Sequence, residues 1–380
     1  MLKRIQIENF KCFKNKTEID LKKTNYKLLE KNANGKILKA VLFVGDNASG
    51  KTTAIQPIKL LLDLLLKDKE IKLPLYTCLF SDKMTTCLEF EFDIDGHELK
   101  YNFSFEHNEF IEEKLLIDDN IILERLGNNA KLNLQNESQY HDVDKSLLFL
   151  KRAYFNTKFV GNEIAVKWFD FLKSSIYINS YSREVLSYNG EKLSPYNYME
   201  EHGVEEINEF FAVNNFNYSI QYTRNLESKN VHYKMDEDEG KMIFFKRNGI
   251  NTPIPVFFES TGNQTLIQIL PAILYAVKNG GMLLIDEFSS GFHNKLEELL
   301  VRYIIENSKT TQLFFVSHST NLLSNSLLRP DQIYTVEMMG DEGSKLFRFS
   351  NEQPRVAQNL EKMYLSGVFG GIPEYGINKE

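Results

Sequence analysis

The chain has 380 residues, beyond the roughly 250–300 at which a single hydrophobic core stops growing, so two lobes or one domain with a large insertion are expected. Its net charge of −7 excludes a protein that coats nucleic acid over its whole surface. Three widely spaced cysteines (Cys12, Cys78, Cys87) exclude a disulfide framework or a zinc site and fit a reducing cytoplasm, and no uncharged apolar run reaches 18 residues, which excludes a spanning helix.

The first ten residues alternate as a strand does, through Ile5 and Ile7 to the Asn9-Phe10 pair, rather than as a leader does. Lys16–Leu21 reads as a second strand. Residues 1–40 hold eleven Lys/Arg against four Asp/Glu, a local balance of +7 that leaves −14 for the rest. A solvated edge-strand face explains this first, and a strip contacting nucleic acid or an acidic partner second.

Lys39–Val44 is a short β-branched run and reads as a buried strand. Gly45-Asp46-Asn47-Ala48-Ser49-Gly50-Lys51-Thr52 follows, and then Thr53. The pattern is G-x-x-x-x-G-K-T. Its glycines let backbone N–H groups face a phosphate, the lysine reaches the β and γ phosphates, and the threonine hydroxyl ligates Mg²⁺. Ile55, Ile58, Leu62 and Leu65 then recur at helical spacing, so a helix aims its N-terminus at the anion.

From Thr86 the period becomes two. Leu88, Phe90, Phe92 and Ile94 alternate with acids up to the favoured Asp95-Gly96 turn, and Leu99, Tyr101, Phe103 and Phe105 alternate after it. Phe110–Ile117 and Asn120–Arg125 read as further antiparallel strands. These aromatics serve a core rather than a base-stacking platform.

Residues 136–240 have a different texture and read as a partly helical insertion. Helical patterns occupy Asp144–Phe155, Asn162–Leu172 and Val204–Val213, without sustained heptads. The acidic run Asp236–Glu239 reads as a solvated loop. After Lys241 the α/β texture returns. Met242–Lys246 and Pro255–Phe258 read as strands, Ser260–Lys278 as a helix despite Pro271, and Gly281–Ile285 as a buried strand. A helix at His293–Glu306 and a buried strand at Gln312–Val316 follow. Gln332–Val336 and Lys345–Phe349 read as edge strands. The domain expectation is therefore an N-terminal lobe at 1–135, the insertion at 136–240, a C-terminal lobe at 241–350 and a tail at 351–380.

Chemistry recurs downstream of the loop. The apolar strand at 282–285 ends in Asp286-Glu287. The first acid can hold Mg²⁺ and the second can orient a water against the γ phosphate. Ser317-His318 ends the next apolar strand, where a histidine can donate to that phosphate. Ser260 caps the helix that contains Gly262 and Gln264, and its hydroxyl and N–H groups can bind an anion.

In this order the motifs resemble an ATPase of the ABC class, in its SMC/RecF/OLD branch. Ile7-Glu8-Asn9-Phe10-Lys11 is similar to that branch's first strand. Ser260-Thr261-Gly262-Asn263-Gln264 resembles the signature, Asp286-Glu287 Walker B, Ser289–His293 the D-loop and His318 the switch histidine. The hairpin at 86–105, Glu112-Glu113-Lys114-Leu115 and the tail Leu365–Pro373 resemble the compact AAA-type, ABC-like ATPases of bacterial antiphage and abortive-infection operons. Two departures stand out. Asn263 replaces the signature's second glycine, and no Q-loop glutamine is evident: Gln56 lies on the first helix, and Phe80-Ser81-Asp82 occupy the expected place.

The resemblance implies an α/β ABC-ATPase head that uses ATP and Mg²⁺. It implies a homodimer or higher oligomer with each ATP between Lys51 and Thr52 of one chain and Ser260 and Gly262 of another. Glu287, His318 and Lys51 would carry catalysis, Thr52 and Asp286 the metal. OLD-type proteins append a nuclease with a Glu and an Asp-x-Asp cluster, which the 62 residues after His318 lack. The leading expectation is thus a slow cytoplasmic sensor ATPase, without a membrane, that answers foreign DNA or a phage protein by controlling a separate effector, a nuclease or another toxin. A RecF-like repair ATPase that binds DNA is the alternative.

Overall fold

The computed structural model describes residues 1–134, 136–227, 232–234, 240–289 and 291–372. The acidic run at 236–239, Ser290 of the D-loop and the tail from Pro373 lie outside the described residues.

Two large sheets organise the chain. The first has eight antiparallel strands in the order Glu137–Tyr140, Asn129–Asn133, Asn120–Leu126, Glu109–Ile117, His97–Glu106, Thr86–Ile94, Leu2–Glu8 and Thr17–Asp20. The expected hairpin is its centre: Phe92 faces Leu99 and Phe90 faces Tyr101 across the Asp95-Gly96 turn. The second sheet runs Glu184–Ser187, Ile176–Asn179, Gly281–Asp286, Thr311–Val316, Ala40–Gly45, Ile333–Met338 and Ser344–Arg348. Its five inner strands are parallel, so their carboxyl ends share one edge.

Eight helices complete the described residues: α1 (Lys51–Leu66), α2 (Phe149–Thr157), α3 (Glu163–Lys173), α4 (Pro195–His202), α5 (Glu205–Val213), α6 (Thr261–Asn279), α7 (Asn294–Asn307) and α8 (Leu360–Leu365). Strand alternation assigns them to faces. Val41, Phe43, Leu284 and Phe314 join one core with α1, α2, α3 and the inner face of the antiparallel sheet. Leu42, Val44, Leu283, Ile285 and Phe315 point the other way, into a core with α4, α5, α6 and α7. Each wholly buried Leu or Ile there contributes roughly 1.5–3 kcal/mol.

Residues 136–240, read from the sequence as a partly helical insertion, contribute strands to both large sheets. Ile176–Asn179 and Glu184–Ser187 are strands of the parallel sheet itself, with Asn179 paired to Asp286. α2 and α3 fill the space between the sheets, where Trp168 packs edge-on to Phe92. α4, α5 and the small sheet of Tyr218–Thr223, Met242–Arg247 and Ile254–Pro255 pack on the other face of the parallel sheet, in the core with α6 and α7. Helix starts also shift: α2 begins at Phe149, and α3 at Glu163 with Asn162 Oδ1 capping Ala165 N at 3.0 Å. Ile333–Met338 is internal, leaving Ser344–Arg348 as the edge. Pro255–Phe258 is strand only as far as Pro255.

A buried polar cluster joins the antiparallel sheet to α2. Glu113 is 0 % exposed and its carboxylate accepts the Phe149 and Leu150 N–H groups, both at 2.7 Å, and the Tyr101 hydroxyl at 2.9 Å. Arg125 lies 3.9 Å from it and donates to the carbonyls of Gly127, Asp144 and Leu147. The tail packs on the chain's own sheet, where Thr335 Oγ1 donates to Phe369 O at 2.6 Å. No described helix is long and apolar enough to cross a membrane.

Candidate functional site

The loop Gly45–Thr52 joins the central parallel strand to α1 at the carboxyl edge of the sheet. Gly45 has φ +148, and a Cβ there would stand 2.3 Å from Val336 O, so only glycine lets the loop turn against its neighbour. Asn47 N donates to Asp46 Oδ1 at 2.6 Å, and Ala48 takes a left-handed φ of 59°. Ser49 O is held by Ser344 Oγ at 2.6 Å, while Ser49 Oγ is buried and makes no hydrogen bond. Lys51 Nζ bends back to Asp46 O at 2.6 Å, and burial lowers its pKa against the pull of Glu287, Asp46 and Asp286. Thr53 follows in the first turn of α1.

Thr52 Oγ1 donates to Asp286 Oδ1 at 2.9 Å across the two strand ends. Asp286 is 3 % exposed, and burial raises its pKa above the ordinary carboxylate value. Glu287 breaks the strand with φ +54, a conformation that costs a side-chain-bearing residue about 1–2 kcal/mol. Phe288, anchored by its N–H on Val316 O at 2.9 Å, retains that turn. The strained residue thereby faces the loop, with Glu287 Oε2 3.8 Å from His318 Nε2. Ser289 Oγ accepts the His318 N–H at 3.2 Å. Burial, and then Lys51, lowers the His318 pKa, with Glu287 opposing. The structure therefore brings Lys51, Thr52, Asp286, Glu287 and His318 together.

These residues fit a nucleotide and a divalent cation. A glycine-walled loop at a helix N-terminus, an orphaned Ser49 hydroxyl, a lysine that donates to a loop carbonyl and a threonine–aspartate pair supply phosphate donors and oxygen ligands.

Ser260, Gly262 and Gln264 lie elsewhere on the same edge. α6 runs back along the strand Gly281–Asp286 that it feeds, so its N-terminus stands at the strands' carboxyl ends, but α6 and α1 pack on opposite faces of the sheet. Ser260 Oγ caps Asn263 N at 3.3 Å. A Cβ on Gly262 would lie 2.6 Å from Gly291 O, so the D-loop backbone demands glycine there. Glu259, paired with Arg247 at 2.6 Å, also takes the Asn263 amide at 2.8 Å. Gln264 is engaged within the chain: its Oε1 accepts from Arg183 at 3.0 Å and its amide donates to Glu259 O at 2.9 Å.

The family described as "AAA domain, putative AbiEii toxin, Type IV TA system" matches residues 41–324, most of the chain and all of these motifs. The chain belongs to that AAA family. Among solved structures, an SMC head bound to the C-terminal winged-helix domain of ScpA is similar at TM-score 0.50 and 13 % identity, covering 91 % of this chain and 97 % of the other. An SMC head domain from Thermotoga maritima has a TM-score of 0.49 at 14 % identity, covering 91 % and 98 %. No curated protein sequence matches. The first of these likenesses gives this AAA chain the fold of an SMC-type ATPase head.

Sequence reasoning placed Phe80–Asp82 where a Q-loop was expected. In the AAA fold seen here they lie in the loop before the long hairpin, beside Asn9, whose amide donates to the Lys83 and Thr85 carbonyls. The strand tip beside Asp286 is instead Asn179-Ser180, with Ser180 N donating to Asp286 O at 3.0 Å. Sequence reading missed this tip, Arg183 and Ser344. The apolar Ile176–Ile178 ending in Asn179-Ser180 was the available signal. Part of the basic N-terminal strip is engaged internally: Arg4 with Glu18, Glu89 and Glu91, Lys3 with Glu98, and Lys23 with Glu30.

Proposed function

We propose that this chain is an ATP-hydrolysing switch whose heads pair head to tail. One observation carries the reading: the phosphate loop and the signature serine share an edge of the sheet but lie on its opposite faces. One chain therefore offers two half-sites, each completed by a second copy.

Lys51 and the loop N–H groups bind the β and γ phosphates, and Ser260 and Gly262 of a partner copy close over them. Thr52 and Asp286 hold Mg²⁺, which supplies charge neutralisation on the phosphates. Glu287 takes the proton of the attacking water, and His318 donates to the γ phosphate. Hydrolysis then rests on positioning and charge rather than on covalent chemistry. Binding across two surfaces shifts the open–closed balance only by its differential affinity for the two states, which suits slow turnover and switching.

The family's description, with its toxin and toxin–antitoxin terms, supports a cytoplasmic defence role in which the closed pair restrains or releases a separate toxic effector. Foreign DNA or a phage protein would set the trigger. Purifying a tagged Glu287→Gln form from its native host, with and without ATP, tests this. A stoichiometric nuclease or other toxin identified by mass spectrometry is expected. Recombination proteins with DNA, and no effector, would replace the reading with a repair ATPase.

A further inference from the structure

The turn Ser180–Arg183 touches both half-sites of one chain. At one end, Ser180 N donates to Asp286 O at 3.0 Å, and Asn179 is the register partner of Asp286. Within the turn, Ser182 N donates to Asn179 Oδ1 at 2.9 Å, and Ser180 Oγ is buried without a partner. Arg183 has φ +56, a left-handed conformation unfavourable for a residue with a side chain. At the other end, Arg183 Nη1 donates to Gln264 Oε1 at 3.0 Å. Gln264 in turn holds the Glu259 and Phe257 carbonyls, at 2.9 and 3.3 Å, and its N–H bonds Ser260 O at 3.0 Å. Through hydrogen bonds at its two ends and its own backbone, the turn thus connects the Asp286 main-chain carbonyl to the residues that seat Ser260.

We propose that Arg183 is a positioning residue that couples the two half-sites: through Gln264 it sets the first turn of α6 according to the state of the Asp286 strand tip. ATP held by a chain's own Lys51 loop would then order the Ser260 that the chain presents to its partner. The proposal rests on the head-to-tail reading for its consequence, but the coupling itself lies within one chain. The left-handed φ of Arg183 closes the short hairpin that pairs Asn179 with Glu184.

Hydrogen exchange of the full chain carrying Glu287→Gln tests the coupling. It is read on the peptide spanning Glu259–Leu266, at protein concentrations too low for self-association, with Mg²⁺ and ATP added or withheld. ATP should slow exchange at the first turn of α6 about tenfold in the parent and leave it unchanged in Arg183→Met, which keeps the aliphatic stem and loses the donor. The affinity of the Lys51 loop for a fluorescent ATP analogue should stay within about twofold, since Arg183 is placed against α6 and not against the loop. Arg183→Lys, which retains a charged donor, should recover part of the ATP effect. No ATP effect in the parent, or the same effect in Arg183→Met, overturns the proposal. Self-association at higher concentration is scored separately. If the parent does not pair with ATP, the head-to-tail reading fails while the exchange result still decides the role of Arg183.

Discussion

The molecule contains two carboxylate clusters built from similar parts and closed to different degrees. At the parallel-sheet edge, Asp286 is buried beside Thr52 and Lys51, yet Ser49 Oγ stays unpartnered and Glu287 stands partly open in a strained turn. In the antiparallel sheet, Glu113 and Arg125 are wholly buried, and every contact described for them is a bond to their own chain. The comparison separates two uses of a buried charge. Hydrogen-bonding capacity that is left unfilled can be filled by a ligand, whereas capacity filled by backbone groups holds a helix in place.

Neutralising an acid in each cluster should therefore have opposite signatures. The largest expected effect is at the open site. Glu287→Gln should lower the ATP hydrolysis rate about 10²–10⁴-fold, the range of a lost general base, while ATP stays bound. Its unfolding free energy should change by less than about 0.5 kcal/mol, because the side chain is partly exposed and no backbone group depends on it. Single-turnover hydrolysis and a denaturant melt of the same preparation read both quantities. Unchanged hydrolysis would remove Glu287 from the mechanism.

Glu113→Ala should do the reverse. Removing it leaves the Tyr101 hydroxyl and two α2 N–H groups buried without their acceptor and the Arg125 guanidinium without its countercharge, so a loss of about 3–5 kcal/mol is expected. Glu113→Gln retains one acceptor oxygen and should lose about 1–3 kcal/mol. ATP hydrolysis per folded molecule should be unaltered in both. A stable Glu113→Ala protein with impaired hydrolysis would erase the distinction between the clusters.

The two clusters also differ in how far the sequence disclosed them. The open site was legible because its parts are local: eight consecutive loop residues, an apolar strand ending in Asp286-Glu287 and another ending in Ser317-His318. The closed cluster was not, although Glu113 shares the inward register of Leu115 and Ile117. A glutamate in that register signals a buried partner, but the partners are N–H groups of Phe149 and Leu150, more than thirty residues away. The same holds for Ile176–Asn179. Four residues are too few for periodicity to separate strand from helix, and only pairing with Gly281–Asp286 decides it. What sequence reasoning lost was the long-range pairing that turned an apparent insertion into part of the sheet.

A smaller effect is expected where the D-loop meets the signature. Gly262→Ala would press a methyl against Gly291 O at 2.6 Å, and a shift of either backbone should cost about 1–3 kcal/mol. Because Gly262 faces the proposed partner site, ATP-dependent pairing should weaken more than the melting free energy predicts. Sedimentation with ATP and a melt without it measure the two. Equal losses would mean that Gly262 serves packing alone.

The smallest effect is a proton. In the ligand-free chain, burial and Lys51 hold the His318 pKa below its ordinary 6.5, so the ring is neutral at pH 7. A bound γ phosphate brings negative charge to the same place and must push that pKa back up. The complex then binds more protons than the free protein, and linkage makes ATP affinity rise as pH falls from 7.5 toward 6. A shift of one unit corresponds to about tenfold at its limit, so a few-fold gain is expected over that window. His318→Gln should lose this gain while retaining the titration that ATP itself brings. Calorimetry of a non-hydrolysable ATP analogue in buffers of different ionisation enthalpy counts the protons directly. Equal proton uptake by the parent and His318→Gln would place His318 beyond the reach of the phosphate and leave the open cluster with the carboxylates of Asp286 and Glu287 as its titratable strand-tip groups.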